Sequence, residues 1–137
     1  LDMCRISPSS VIIKKDVFND IGTFNESLRV CEDYDLWLRI TSKYPVFFLD
    51  VPLIKKYGGH SDQLSKVQEG IEFYRIKALK NLLKSKVLSK PQSLLAINML
   101  IKKMNIYAKG LEKRNKFSEL YKIKKNIQYW INITELC

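Results

Sequence analysis

The sequence has few cysteines, and those present are poorly placed for cross-linking. Cys4, Cys31 and Cys137 are odd in number and far apart, so they resemble neither a disulfide framework nor the paired cysteines of a zinc site. A chain of 137 residues can bury a hydrophobic core without such cross-links. This cysteine usage favours a reducing, cytosolic setting.

Long apolar runs, internal repeats and low-complexity stretches are also missing. The longest apolar run, Leu94 to Ile101, is far below the ~20 residues that a membrane-spanning helix needs. The first residues, "LDMCRISPSS", lack an initiator methionine, and they lack the basic start and apolar centre of a signal peptide. We therefore expect no transmembrane segment, and we expect the chain to be an internal piece of a longer protein.

Positive charge is concentrated in the second half of the chain. Residues 1–61 carry eight basic and eight acidic residues, whereas residues 62–137 carry 16 basic and six acidic ones, which accounts for the net charge of +10. The sequence therefore predicts two parts, 1–61 and 62–137, of different chemical character.

The first part combines strand and helix patterns. Ser9–Lys15 is rich in β-branched residues and predicts a short strand. A brief helix follows and ends at Gly22. A second helix begins near Cys31 and ends before Pro45, because proline disfavours helical geometry in the residue before it. Residues 46–57 follow as extended chain.

The second part predicts three helices with short connections, typical of a small bundle. The first is amphipathic and begins at Asp62. The second begins at Ser89, which can act as N-cap with Gln92 bonding back to it. The third runs from about Lys113 into the 130s. We expect most aromatic side chains of this part to face inward, including Phe117, and also Tyr74, Tyr121 and Trp130.

Three acids, Glu32, Asp33 and Asp35, lie in the first turn of the second helix. One interpretation is structural, because carboxylates at a helix start meet the positive end of the helix dipole. The other is functional: three like charges in one turn repel one another, and one cap would suffice. Asp33 also shares a face with Leu36 and Trp37, which places a carboxylate at the mouth of an apolar surface.

The motifs "FNESL", "EDYDLWLR" and "GGH", in this order and spacing, resemble the acceptor-side half of family 2 glycosyltransferases. The resemblance covers roughly residues 5–65. It implies an α/β fold: the C-terminal part of the Rossmann-like GT-A fold, which binds nucleotide-sugars, followed here by a helical extension. The implied reaction transfers a sugar from a nucleotide-sugar donor to an acceptor hydroxyl, such as that of a saccharide or lipid-linked acceptor in polysaccharide or cell-envelope synthesis, with inversion.

The resemblance also assigns roles to the three acids. Asp33, the second acid of the "ED" pair, would be the general base that takes the proton of the attacking hydroxyl. Glu32 would assist by orienting the acceptor or neighbouring backbone. Asp35 points elsewhere on the helix and is expected to serve structure.

Further contacts follow from the same resemblance. Ser9, Trp37 and Gln63 would contact substrate, although core packing is the competing interpretation for Trp37. His60, the only histidine, would contact the divalent metal or the leaving diphosphate. A surface histidine after a Gly-Gly turn is the alternative.

The sequence departs from this family in one respect. It has no acidic metal-binding motif other than "DYD" at 33–35, which belongs to the base motif. We therefore expect Mg²⁺ or Mn²⁺ to be held mainly by an N-terminal half that this sequence lacks, and we expect the fragment alone to be inactive.

The basic helices suggest partners of their own. They could contact the anionic inner face of a membrane, or their lysines could simply solvate the bundle. Nucleic acid is disfavoured, because inward aromatic residues leave no exposed series for base stacking. The rival hypothesis is a non-catalytic helical module that binds anionic membrane or a protein partner. Convergence of Asp33 and His60 on one cleft would favour the enzyme.

Overall fold

The computed structural model describes residues 2, 4–55, 57 and 70–135. A 3-10 turn at Pro8–Ser10 precedes the α-helices of these ranges. The helices are α1 (Lys15–Ile21), α2 (Glu32–Lys43), α3 (Ile71–Lys84), α4 (Lys90–Lys113) and α5 (Phe117–Glu135).

Helices α1 and α2 have nearly the bounds that the sequence predicts. Gly22 ends α1 with a φ of 82°, and its amide donates to the Phe18 carbonyl; a positive φ is a conformation that glycine adopts readily. Cys31 precedes α2 in the left-handed conformation, with a φ of 63°. Tyr44, directly before Pro45, is extended and ends the helix.

Helices α3, α4 and α5 pack side by side, as predicted. The start of α4 is a capping box: the Ser89 side chain accepts from the Gln92 amide, and the Gln92 side chain accepts from the Ser89 amide. This reciprocal pair satisfies two amides that would otherwise lack helical partners. The predicted start of α3 between Asp62 and Glu69 lies outside the described residues.

Helix α2 is buried on two faces and packs between α1 on one side and helices α3 and α4 on the other. Its Leu36, Trp37 and Ile40 pack against α1 and the chain before it. Its Tyr34 and Leu38 belong to a core formed with α3 and α4. The side chains at the start of α2 are therefore held by neighbours on both sides.

The α/β prediction, the C-terminal part of a GT-A fold, is wrong for the part of the chain described here, which is helical and contains no β-strand. Ser9–Lys15 forms the end of the 3-10 turn, a short extended piece and the first residue of α1. A strand needs a neighbour to which its backbone can hydrogen-bond. Within the described ranges no backbone hydrogen bond joins residues 11–13 to another segment.

On α5 the prediction of inward-facing aromatics is wrong for Phe117 and Tyr121, whereas Trp130 packs against the core as predicted. Phe117 is 63% exposed and Tyr121 is 61% exposed, whereas Tyr74 on α3 is buried. The spacing of apolar residues in α5 is compatible with more than one orientation of the helix about its own axis. Among the described helices, none combines the length and the apolar character required to cross a bilayer.

Candidate active site

Asp33 lies in the first turn of α2, and its carboxylate is half-buried. Oδ1 accepts a hydrogen bond of 2.6 Å from the Tyr34 amide, and Oδ2 lies 3.4 Å from the Cys4 thiol, which donates to it. Within the described ranges Asp33 forms no ion pair. Its carboxylate is thus fixed in position without being neutralised by a contacting cation.

A cleft of about 350 Å³ lies beside this carboxylate. It is open to solvent and formed where the chain before α1 crosses α2, and Cys4 contributes both to its wall and to the contact with Asp33. The remaining lining residues are Asp2, Arg5, Ile6, Tyr34, Trp37, Leu38 and Thr41. Asp33 is not itself a lining residue, and its hydrogen bond with Cys4 connects its carboxylate to the cleft wall.

Two thiols lie near Asp33, and both hold their protons. Burial, followed by the adjacent Asp33 carboxylate, raises the pKa of the Cys4 thiol to about 11. Burial likewise raises the pKa of the Cys31 thiol to about 11. Since the thiolate is the reactive form, neither cysteine is a nucleophile near neutral pH. The carboxylates at or next to the cleft are Asp2, which lines it, and Asp33, which contacts the lining residue Cys4.

Asp35 occupies a different environment from Asp33. It is 3% exposed, and its Oδ2 accepts from Arg39 Nε at 2.9 Å. The same guanidinium donates to the carbonyl oxygens of Ile21 and Thr23, each at 2.7 Å. Asp35 thus orients the arginine that fastens the end of α1 to α2, in agreement with the structural role expected for it.

The other residues singled out by sequence are spread over several places. Glu32 is half-buried at the first position of α2. Ser9 is exposed in the 3-10 turn, where its Oγ lies 3.0 Å from Ser7 Oγ. His60 and Gln63 lie outside the described residues.

Trp37 combines core packing with a place in the cleft wall. It is 8% exposed, and its indole N–H donates to the Ile6 carbonyl at 3.0 Å. It also lines the cleft. The indole therefore fixes the chain before α1 against α2.

A buried charge cluster, which the sequence analysis missed, adjoins the site. Lys103 of α4 has a side chain that is 3% exposed, and its Nζ lies 3.5 Å from Glu72 Oε2. Arg75 Nη1 contacts Glu72 Oε1 at 2.7 Å, and the guanidinium lies 5.8 Å from the centroid of the Tyr34 ring. Lys103 also donates to the Asp2 carbonyl, which ties the chain start to α4.

The sequence contains a signal for this cluster. Lys103 follows Ala96 by seven positions and Leu100 by three, so it falls on the inward face of α4. A lysine on such a face needs a buried anionic partner. Lys103 thus meets neither expectation for the lysines of the second part, contact with an anionic membrane or solvation of the bundle surface.

The metal implied by the resemblance does not fit the described residues. Within these ranges no three histidine, cysteine, aspartate or glutamate side chains come together as a metal site. A Mg²⁺ or Mn²⁺ site requires several oxygen ligands. We therefore derive no step of the chemistry through a metal held by these residues.

Two curated proteins share sequence with part of this chain. One is an uncharacterized glycosyltransferase of Rickettsia felis, 42% identical over 57 residues, and the other is an uncharacterized glycosyltransferase of Rickettsia conorii, 39% identical over 57 residues. Each match covers 42% of this chain but only 9% of the relative. The chain thus corresponds to a small part of proteins that are named glycosyltransferases.

No protein-family description and no solved structure matches the chain.

Proposed function

We propose that this chain is the acceptor-side segment of a glycosyltransferase that resembles family 2, with Asp33 as its general base. The observation that carries the proposal is the environment of Asp33: a half-buried carboxylate, held by the Tyr34 amide and by the thiol of Cys4, which lines a cleft of about 350 Å³. The partial likeness to two rickettsial proteins named glycosyltransferases supports the reaction class.

The proposed reaction is a single displacement with inversion. The acceptor hydroxyl oxygen attacks the anomeric carbon of a nucleotide-sugar, its proton passes to the Asp33 carboxylate, and the nucleoside diphosphate leaves from the opposite face. A general base must lie within hydrogen-bond reach of the proton that it removes. A carboxylate without a contacting cation is available to accept that proton, whereas a carboxylate held in a buried ion pair is not.

Neighbouring residues would support this role. Glu32, directly before Asp33, would orient the acceptor. Trp37 and Ser9 would contribute to the acceptor side, Trp37 as a wall of the cleft. Tyr34 and the Cys4 thiol hold the two carboxylate oxygens. His60 and Gln63 remain proposed contacts to the leaving diphosphate.

The test is a transfer assay with the complete gene product that contains this chain. Asp33→Asn should abolish sugar transfer while leaving affinity for the donor nucleotide-sugar largely intact, because asparagine can accept the Tyr34 amide bond but cannot take up a proton. Asp16→Asn is the matched control, since Asp16 is an exposed acid in the first turn of α1. Transfer retained by Asp33→Asn would reject the assignment of the base.

A further inference from the structure

An exposed row of aromatic and basic side chains runs along α5. Phe117, Tyr121, Lys125 and Tyr129 follow one another at intervals of four residues, and we call them the outer stripe of α5. The three aromatic members are 63%, 61% and 60% exposed. Twelve residues of helix span roughly 18 Å, so the stripe is a long, narrow surface.

The packing of α5 determines that this surface faces away from the bundle. Leu120 is buried in a core cluster with Ala108 and Leu111 of α4. Ile127 and Trp130 pack against the main core. These residues occupy the helix face opposite the outer stripe. The stripe is exposed because it is this opposite face of α5 that packs against the core.

Positive charge flanks the stripe and lies within it. Lys122, Lys124 and Lys125 are exposed, and within the described ranges none of them forms an ion pair. Lys125 Nζ lies 4.6 Å from the centroid of the Tyr121 ring, which places the ammonium beside an aromatic face.

We propose that the outer stripe of α5 docks on the surface of an anionic lipid bilayer. Tyrosine and phenylalanine rings on one side of a helix, accompanied by several lysines, are typical of helices that lie in the interface of a membrane. The aromatic rings enter the headgroup region, and the lysines meet anionic headgroups. This inference goes beyond glycosyl transfer and does not depend on it.

Two features favour a bilayer over other occupants. Lys125 lies in the middle of the stripe, where a dry protein interface would have to desolvate it, whereas its long stem lets the ammonium reach the headgroup layer of a membrane. The stripe is also the convex side of a single helix. Proteins that bind single-stranded nucleic acid use a basic groove that follows the backbone.

The test measures binding of the 137-residue chain to sedimented vesicles. One set is pure phosphatidylcholine, and the other contains about 30% phosphatidylserine. We expect binding to the anionic vesicles and little binding to the neutral ones. Lys122→Gln with Lys125→Gln should weaken binding by about 25-fold, since each lysine near an anionic surface contributes a factor of about five. Tyr121→Ser with Tyr129→Ser should weaken it by about tenfold.

Matched variants elsewhere control for general charge and apolar exposure. Lys14→Gln with Lys15→Gln removes two exposed lysines near α1, and Val87→Ser with Leu95→Ser removes two apolar side chains that are 62% and 61% exposed. Both pairs should bind vesicles like the unaltered chain. Circular dichroism should show unchanged helix content in every variant, because all the altered side chains are exposed.

Several outcomes would overturn the proposal. These are absence of vesicle binding, equal binding to neutral vesicles, α5 variants that bind like the unaltered chain, and control variants that lose as much affinity as the α5 variants. Tighter binding to a single-stranded RNA than to anionic vesicles, lost in the same α5 variants, would assign the stripe to nucleic acid instead.

Discussion

The Cys4 thiol donates a hydrogen bond to the Asp33 carboxylate, with Sγ 3.4 Å from Oδ2, although 29 positions separate the two residues in sequence. This contact links the chain before α1 to the first turn of α2. The pKa of the Cys4 thiol therefore depends on the charge of Asp33, because the carboxylate helps to raise that pKa to about 11.

Alkylation of Cys4 should therefore be slow and should depend on Asp33. At pH 8 a thiol with a pKa of about 11 has on the order of 100-fold less thiolate than one of ordinary pKa. Asp33→Asn removes the carboxylate's contribution but not the larger effect of burial. We expect the Cys4 pKa to fall partway toward its ordinary value and the alkylation rate to rise.

Mass spectrometry of the peptide containing Cys4 measures this rate. Glu32→Gln is the control: Cys4 donates to Asp33 and to the Ile6 carbonyl rather than to Glu32, so the rate at Cys4 should change much less. An equal acceleration in both variants would mean that α2 opens in general, and the direct contact between Cys4 and Asp33 would then be refuted.

Asp35 should matter to stability far more than Asp33. Asp35→Asn leaves the Arg39 guanidinium without its anionic partner at a site where Asp35 is 3% exposed. Removing one partner of a buried pair costs about 3 kcal/mol. Asp33→Asn, which removes no ion pair, should cost less than about 1 kcal/mol.

Urea denaturation followed by circular dichroism compares the two variants with the unaltered chain. Similar losses in the free energy of unfolding would contradict the distinction between a structural Asp35 and a non-structural Asp33. The same data verify that Asp33→Asn is folded, which the transfer assay requires.

Sequence alone predicted those features that neighbouring residues decide. The bounds of α2 follow from Pro45 and from the apolar spacing of Leu36, Trp37 and Ile40. The capping box at Ser89 is likewise a local signature. These predictions are confirmed because few distant contacts influence them.

Features that depend on distant contacts were missed or predicted wrongly. Lys103 contacts Asp2 across 101 positions, and no local pattern identifies that partner. Phe117 could have faced inward on apolar spacing alone, but the packing of Leu120 rotates it outward. Ser9–Lys15 has β-branched residues, yet a strand also requires a partner. For the candidate site, the choice of Asp33 stays a prediction, and the sequence indicated neither of its neighbours Cys4 and Arg75.

The buried charge cluster should respond asymmetrically to substitution. Glu72→Gln leaves Lys103, whose side chain is 3% exposed, with only Asp2 as anion, and we expect a loss of about 2 kcal/mol in the free energy of unfolding. Lys103→Met preserves volume, and Glu72 keeps its contact with Arg75 at 2.7 Å. That variant should be within about 1 kcal/mol of the unaltered chain.

Thermal and urea unfolding of both variants check this asymmetry. A loss in Lys103→Met as large as that in Glu72→Gln would show that the contact of the ammonium with Asp2 contributes as much to stability as the Glu72 carboxylate does, and the expected order would then be wrong.

Segment 46–54, which has no regular secondary structure, should make this chain associate with itself. Phe47 is 93% exposed, Phe48 is 86% exposed, and Leu49 and Leu53 are also exposed. Within the described ranges, no backbone hydrogen bond joins this segment to the rest of the chain. A contiguous exposed apolar surface of this kind promotes association.

Phe47→Lys with Phe48→Lys should therefore clearly raise the protein concentration at which light scattering begins to increase. Ile12→Lys with Val87→Lys is the matched control, because it adds the same charge at two side chains that are 103% and 62% exposed and lie outside this apolar segment. Added charge alone would raise solubility in both variants, so the test is the difference between them. Equal improvement in the two would attribute the effect to net charge, and segment 46–54 would then not be the surface through which copies of the chain associate.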